Sequence, residues 1–152
     1  MKPWLPSLLC LLMLQTGCAT FKGSRSAKNT ASPALEGSWV LDLLPSPATQ
    51  FDSLYPGRKP EITFDTRQQR FNGYTGCNRF NGPLVSSGNT ISFRGDIVMT
   101  YMACQGDGES TFLQNLKRVS KYDVSNDGKT LTLIQGDIAL MRFHRTAKIT
   151  QQ

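Results

Sequence analysis

The sequence predicts an α+β domain: a compact, strongly curved antiparallel β-sheet with one main α-helix packed against it. Three observations support this fold class. Stretches in which apolar and polar residues alternate recur along most of the chain, and a period of two is typical of half-buried strands. Glycine, asparagine, aspartate and proline, which favour turns, separate these stretches. A single segment, residues 112–119, instead repeats its apolar residues at helical spacing.

The first 17 residues have the pattern of an export signal. Lys2 supplies one positive charge, and an apolar run of ten residues follows at positions 5–14. About 20 apolar residues are needed to cross a bilayer, so we interpret residues 1–17 as a signal peptide rather than an anchor. The chain is therefore expected in the cell envelope.

Cys18 directly follows the small residues Thr16 and Gly17, an arrangement that resembles the lipid-attachment motif of bacterial lipoproteins. Gln15 stands where that motif usually has Leu, and ordinary secretory cleavage near Ala19 is the alternative. We predict a lipid on Cys18, because a lone cysteine at this position has no other evident role. In bacterial lipoproteins of this kind, an Asp directly after the lipid-bearing cysteine resembles a signal for retention in the inner membrane. Here that position is Ala19, which favours the periplasmic face of the outer membrane.

Residues 18–34 are polar and lack an apolar period, which predicts a flexible tether. The domain is expected to span residues 35–146, with a tail at 147–152. The whole chain has 17 basic and 11 acidic residues and a net charge of +6. It contains no block of five or six like charges and no basic helix face with interleaved aromatics, so a nucleic-acid partner is not expected.

The first strand is expected at residues 37–43. Trp39, Leu41 and Leu43 alternate there with the residues of a wetter face, so they are expected to point into the core. Trp39 is accordingly interpreted as a core residue rather than a platform for a ligand. Prolines end the strand, and residues 48–59 are expected to form a loop.

Short alternating stretches predict the remaining strands, and Gly, Asn and Asp mark the turns between them. Residues 75–82, rich in Gly and Asn, are expected to be a connection rather than a strand. The further expected strands are residues 61–65, 70–74, 84–85, 90–93, 97–99, 122–124, 129–134 and 138–143.

The one expected helix is defined by an apolar stripe of about three turns. Asp107 or Ser110 can cap its start, and Glu109 suits the positive N-terminal end of its dipole. The stripe consists of Phe112, Leu113, Leu116 and Val119.

Two cysteine-bearing segments are the most distinctive parts of the domain: GCNRF at residues 76–80 and TYMAC at residues 100–104. Together with the GSWVL start at residues 37–41, they resemble the META domain family of HslJ-like heat-shock envelope lipoproteins. The resemblance extends over residues 35–145. It implies a compact β-sheet with a helix packed against it and a link to heat shock and antibiotic tolerance. It supplies no catalytic residues.

Cys77 and Cys104 allow three interpretations: a nucleophile, a pair of metal ligands or a disulfide. A zinc site needs about four closely spaced N or S ligands, and a thiol nucleophile needs a base, yet His144 is the single histidine of the chain. Export to an oxidising compartment favours the disulfide. We therefore expect Cys77 and Cys104 to be paired, and we expect no metal, no cofactor and no catalytic residue.

Asn78, Arg79 and Asn81 beside this pair are the candidate surface for a ligand or partner. Arg79 can bind a carboxylate or phosphate through two hydrogen bonds. The asparagines can instead satisfy the backbone of their own loop, and this second interpretation is preferred. Three acidic residues near the second cysteine raise the possibility of paired carboxylates, but capping or solvent exposure explains each: Asp96, Asp107 and Glu109.

The sequence thus predicts a non-enzymatic envelope lipoprotein with a stress-tolerance or binding role. Its expected partners are the membrane, through a lipid on Cys18, and an unidentified envelope protein or apolar ligand. One alternative is a secretion pilot, which needs a lipid-sized groove between helix and sheet. Another is an inhibitor of a secreted hydrolase that uses the loop at residues 48–59. An enzyme would require Cys77 to be free and activated.

Overall fold

The computed structural model describes residues 32–45 and 50–146, together with Met1. Residues 2–17 of the predicted signal peptide, the lipid on Cys18, residues 18–31 of the predicted tether and the tail at 147–152 lie outside these residues and stay predictions. Within the described residues, ten strands form a single antiparallel sheet accompanied by one main helix. This confirms the predicted α+β class and the strong curvature of the sheet. None of the described helices has the length and apolar character needed to span a bilayer.

The strands are β1 (Gly37–Leu43), β2 (Glu61–Asp65), β3 (Arg70–Tyr74), β4 (Arg79–Pro83), β5 (Val85–Ser87), β6 (Thr90–Ser92), β7 (Val98–Met99), β8 (Lys121–Val124), β9 (Thr130–Gln135) and β10 (Ile138–Arg145). Across the sheet they follow the order β5-β6-β8-β9-β10-β1-β2-β3-β4-β7. The helices are α1 (Phe51–Leu54) and α2 (Gly108–Arg118). Apart from β4, the strand bounds differ from the predicted ones by at most two residues at either end.

β1 follows its predicted alternation as far as Leu41. Trp39 and Leu41 are fully buried, as expected, but Leu43 is 42% exposed and Leu44 is 2% exposed. The register between β1 and β10 shifts between Leu41 and Leu43. Such a shift marks a β-bulge, whose extra residue moves the following side chains to the other face. The prediction that Leu43 faces the core was therefore wrong. A second register shift lies between β10 and β9, and bulges of this kind increase the twist of a sheet.

β4 occupies residues for which the sequence predicted a connection. Two glycines make this strand possible, because Gly73 lies opposite Phe80 and Gly82 lies opposite Phe71 in the β3–β4 register. A Cβ atom on Gly73 would lie 2.8 Å from the Phe80 ring, and one on Gly82 would lie 2.8 Å from the Phe71 ring. Each ring thus fills the space above the facing glycine. The prediction was wrong because these cross-strand contacts outweigh the low strand preference of Gly and Asn.

α2 packs its apolar stripe into the core, as predicted. Phe112 and Leu116 are fully buried, Val119 is 2% exposed, and the Phe112 ring lies 5.8 Å from the Phe80 ring. Side chains therefore fill the contact between α2 and the sheet at this point, where a secretion pilot would need a lipid-sized groove. Large aromatic side chains dominate the core: Trp39, Phe64, Phe71, Phe80, Phe93, Phe112 and Phe143.

The segment predicted to be a loop, residues 48–59, contains the single-turn helix α1 within its described part. Phe51 and Leu54 pack against the core, and Tyr55 is 5% exposed. The prediction of an irregular loop was therefore incomplete, because apolar side chains hold the segment against the domain.

Candidate functional site

The two cysteine segments meet in space. Cys77 lies in the turn between β3 and β4, and Cys104 follows the outer strand β7. Their sulfur atoms are bonded at 2.08 Å, with Cα atoms 5.8 Å apart. The bond closes a loop with a sequence separation of 27, and the chain-entropy description assigns such a closure about 3–4 kcal/mol of stabilisation. The structure thus joins the two cysteines that the sequence analysis expected to be paired.

Asn78 connects the two segments. It is 2% exposed, and its side-chain oxygen accepts hydrogen bonds from the Thr100 hydroxyl at 3.0 Å and the Met102 N–H at 2.8 Å. Its side-chain nitrogen donates to the Met102 carbonyl and to the Glu109 carboxylate, each at 3.1 Å. All four hydrogen-bonding positions of the amide are therefore used. Asn78 belongs to the interior and not to the surface proposed for it.

Glu109, in the first turn of α2, completes this network. Its carboxylate also accepts hydrogen bonds from the Thr75 hydroxyl and, at 3.2 Å, from the Asn78 backbone N–H. The positive end of the helix dipole stabilises a carboxylate here. Asp107 is the N-cap residue of α2, but its side chain makes no capping hydrogen bond. Asp96 and Asp107 are exposed and take no part in the network, so Glu109 is not part of an acid–base pair with them.

Thr75 and Tyr55 support the same site, although sequence reasoning missed both. Thr75 is fully buried, and its hydroxyl accepts the Asn78 N–H at 2.9 Å. The Tyr55 hydroxyl donates to the Gly108 carbonyl at 2.8 Å, and burial raises the pKa of Tyr55. A Cβ atom on Gly76 or Gly108 would lie 2.9 Å from the Tyr55 ring. The spacing of Thr75 and Asn78 is a local signal for a hydroxyl-capped turn; no local pattern points to Tyr55.

The sulfurs of Cys77 and Cys104 and a carboxylate oxygen of Glu109 lie within 4.8 Å of one another. This grouping resembles a set of metal ligands. Cysteine binds metals as a thiolate, however, and both sulfurs are committed to the disulfide. The three residues therefore do not fit a metal ion in the oxidised protein.

Arg79 and Asn81 flank the buried Phe80 on β4. Arg79 is exposed and Asn81 is half-buried, and Asn81 accepts a hydrogen bond from the Arg70 guanidinium at 3.3 Å. Among the described residues, Arg79 forms no salt bridge. Of the three residues in the candidate surface, Arg79 therefore offers a charged group to solvent.

His144 lies away from the disulfide. It belongs to β10, and β1, β2 and β3 separate that strand from β4. Its Nδ1 atom lies 2.5 Å from the Asp42 carboxylate, and the imidazole is exposed. The only imidazole of the chain is thus not positioned as a base for Cys77.

Comparisons with known proteins agree with the fold. A family model described as META domain matches residues 32–148. An NMR structure of a protein from Burkholderia xenovorans is similar, with a TM-score of 0.57 and 21% identity over 97% of this chain and 100% of that one. A crystal structure of a DUF4847 family protein from Bacteroides vulgatus has a TM-score of 0.52 and 15% identity over 75% of this chain and 95% of that one. At these identities the structural similarity concerns the fold alone. The search of curated proteins found no match.

Proposed function

Because the chain belongs to the META domain family, we propose that it is a non-enzymatic lipoprotein of the bacterial cell envelope. A lipid on Cys18 anchors it at the periplasmic face of the outer membrane, and the domain binds a partner or apolar ligand in stress tolerance. The observation that carries this proposal is that the distinctive residues of the two cysteine segments hold the domain together. The disulfide and the satisfied Asn78–Glu109 network give them a structural role.

The disulfide also supports the compartment. A bond between Cys77 and Cys104 persists where the environment is oxidising, as in the periplasm, and is rare in a reducing cytosol. The export pattern of residues 1–17 leads to the same compartment by an independent route. The two observations support an envelope location.

The same residues argue against an enzyme as the leading proposal. A cysteine nucleophile needs a free thiol near a base. Cys77 is instead bonded to Cys104, and His144 pairs with Asp42 on another part of the sheet. A binding role requires neither a free thiol nor a base, because binding depends on the shape and charge of the surface.

Substituting the predicted lipid-bearing residue tests the proposal. The native protein should pellet with membranes and remain there in high salt, because acyl chains hold by burial of apolar surface that salt does not weaken. The exported Cys18→Ser variant should move to the soluble fraction of the envelope under the same salt wash. Immunoblots of both fractions measure the distribution.

Cys10→Ser is the matched control. Cys10 lies inside the apolar run that the signal peptidase removes under our interpretation, so this variant should still pellet with membranes. A Cys18→Ser protein that stays with membranes in high salt, or a native protein found in the soluble fraction, would contradict the proposal.

A further inference from the structure

Three exposed apolar side chains lie in one short segment that precedes Cys104 of the disulfide. In the segment from Val98 to Met102, Val98 is 63% exposed, Tyr101 is 101% exposed and Met102 is 60% exposed. We call residues 98–102 the tip. It begins with β7, the outer strand of the sheet, and ends two residues before Cys104. A fully exposed tyrosine extends away from the body of the domain, so the tip projects and does not line a groove.

The backbone of the tip is held in place from behind. The Asn78 side chain accepts the Met102 N–H at 2.8 Å and donates to the Met102 carbonyl at 3.1 Å. The Thr100 N–H donates to the Arg79 carbonyl at 3.0 Å, and the disulfide at Cys104 fixes the far end. The tip therefore presents its apolar side chains at little further cost in conformational entropy, which favours binding.

An exposed arginine of the neighbouring strand β4 hydrogen-bonds through its backbone to the tip. Residues 70–82 contain Arg70 and Arg79 and no acidic residue, whereas Asp96 and Asp107 flank residues 97–106. The Glu109 carboxylate is hydrogen-bonded to Asn78 behind the tip. Arg79 is exposed, its backbone N–H donates to the Thr100 hydroxyl at 3.0 Å, and it forms no salt bridge with a described residue. An arginine that forms no salt bridge with a described residue is thus joined through its backbone to Thr100, in the middle of the tip.

We propose that the tip rests in the headgroup region of an anionic bilayer, with Arg79 against the lipid phosphates. Tyrosine has an apolar ring and a polar hydroxyl, a combination that suits the boundary between headgroups and acyl chains. Arginine complements phosphate in charge and geometry.

A membrane fits the tip better than a second copy of the chain does. β7 contains two residues, so its free edge offers little backbone for pairing with another strand. Two copies that met through this region would also bring their Arg79 side chains together, and like charges repel. A protein partner would need a pocket that fits the projecting side chains, whereas the interfacial region of a bilayer can take them up without one.

The proposal rests on the proposed function, because the lipid tether places the domain near the membrane. The thirteen residues between Cys18 and Ser32 belong to the segment predicted from the sequence to be a flexible tether, and a coil of that length has a reach of roughly 20 Å. At this distance the bilayer is present at high effective concentration, so a small contact of a few side chains suffices.

Quenching of tryptophan by brominated lipids measures this contact. The mature protein, purified from membranes, is reconstituted into vesicles of phosphatidylethanolamine and brominated phosphatidylglycerol. Tyr101→Trp places the reporter on the tip. Ile138→Trp is the matched control, because Ile138 is similarly exposed at 64% but begins β10, which lies away from β7 in the sheet. The unsubstituted protein supplies the background emission of Trp39, the single tryptophan of the chain from Cys18 onward.

The Tyr101→Trp variant should be quenched at least about twofold more strongly than the Ile138→Trp variant, with a blue-shifted emission, as expected for burial among headgroups. Adding Arg79→Ala to the Tyr101→Trp variant should reduce this quenching, and so should vesicles whose lipids are all neutral. Equal quenching of the two reporters, or quenching of neither, would overturn the proposal. Protection of the tip without lipid quenching would indicate a second copy or another protein and would overturn it too.

The quenching experiment can fail or succeed independently of the Cys18→Ser test of the lipid anchor. If Cys18→Ser releases the protein from membranes but the two reporters are quenched equally, the lipoprotein proposal stands and the tip proposal fails. If the native protein and its Cys18→Ser variant are both soluble in cells, the same two reporters are measured on the soluble protein added to vesicles. Stronger quenching of Tyr101→Trp than of Ile138→Trp then means that the anchor proposal fails and the tip proposal stands.

Discussion

At the scale of single residues, Asn78 explains what the GCNRF segment contributes. Its side chain hydrogen-bonds to the second cysteine segment and to α2. A buried amide with every position satisfied fixes its partners in one arrangement. The residue that seemed a candidate for binding thus positions the exposed tip and the N-terminus of α2.

Replacing Asn78 by alanine should lower the free energy of unfolding by about 2–3 kcal/mol, because buried backbone and carboxylate groups lose their partners. Urea unfolding at neutral pH measures the change. Asn72→Ala is the control, since Asn72 is exposed on β3 and should change stability by less than about 0.5 kcal/mol. Equal effects of the two substitutions would show that the network contributes nothing beyond the strand itself.

Residue-scale prediction from sequence succeeded where the chemistry was local or covalent. The pairing of Cys77 with Cys104 can be predicted because two thiols in an exported protein have few other uses. The partnership of Glu109 with Thr75 and Asn78 was not foreseen, because it joins residues 31 and 34 positions apart. Tyr55 was missed for the same reason: its contacts are to Gly76 and Gly108, and no periodic pattern reveals them.

At the scale of elements, alternation located most strands but did not reveal how they deviate. The bulge in β1 arises in its pairing with β10, which is far away in the sequence. The residues around β1 alone therefore do not predict it. β4 depends likewise on the fit of Phe71 and Phe80 over the facing glycines. In both elements the pairing of distant strands, and not local preference, decides which side chains are buried.

Leucine truncation on either side of the bulge tests this account of β1. Leu44→Ala should destabilise the domain by about 2–4 kcal/mol, because Leu44 is 2% exposed and its removal leaves a cavity. Leu43→Ala should cost no more than about 0.5 kcal/mol, since Leu43 is 42% exposed. Thermal unfolding followed by circular dichroism compares the two variants. A larger effect at Leu43 would restore the unbroken alternation that the sequence predicted.

At the scale of the whole molecule, the sequence predicted the fold class but not the order of the strands. Composition and alternation suffice for an antiparallel sheet with one helix. β1, the first strand, pairs with β10, the last, in the middle of the sheet. A pairing between the two ends of the domain cannot be read from short sequence patterns. The disulfide has its largest consequence at this scale, because it ties β7 and the start of α2 to the β3–β4 turn.

The central claim is that Cys77 and Cys104 form a structural bond and not a reactive site. Counting free thiols tests it most directly: protein from intact envelopes is treated with a maleimide under denaturing conditions, with and without prior reduction, and the labels are located by mass spectrometry. We predict no label on Cys77 or Cys104 without reductant and one on each after reduction. Full labelling of both cysteines without reductant would contradict the account.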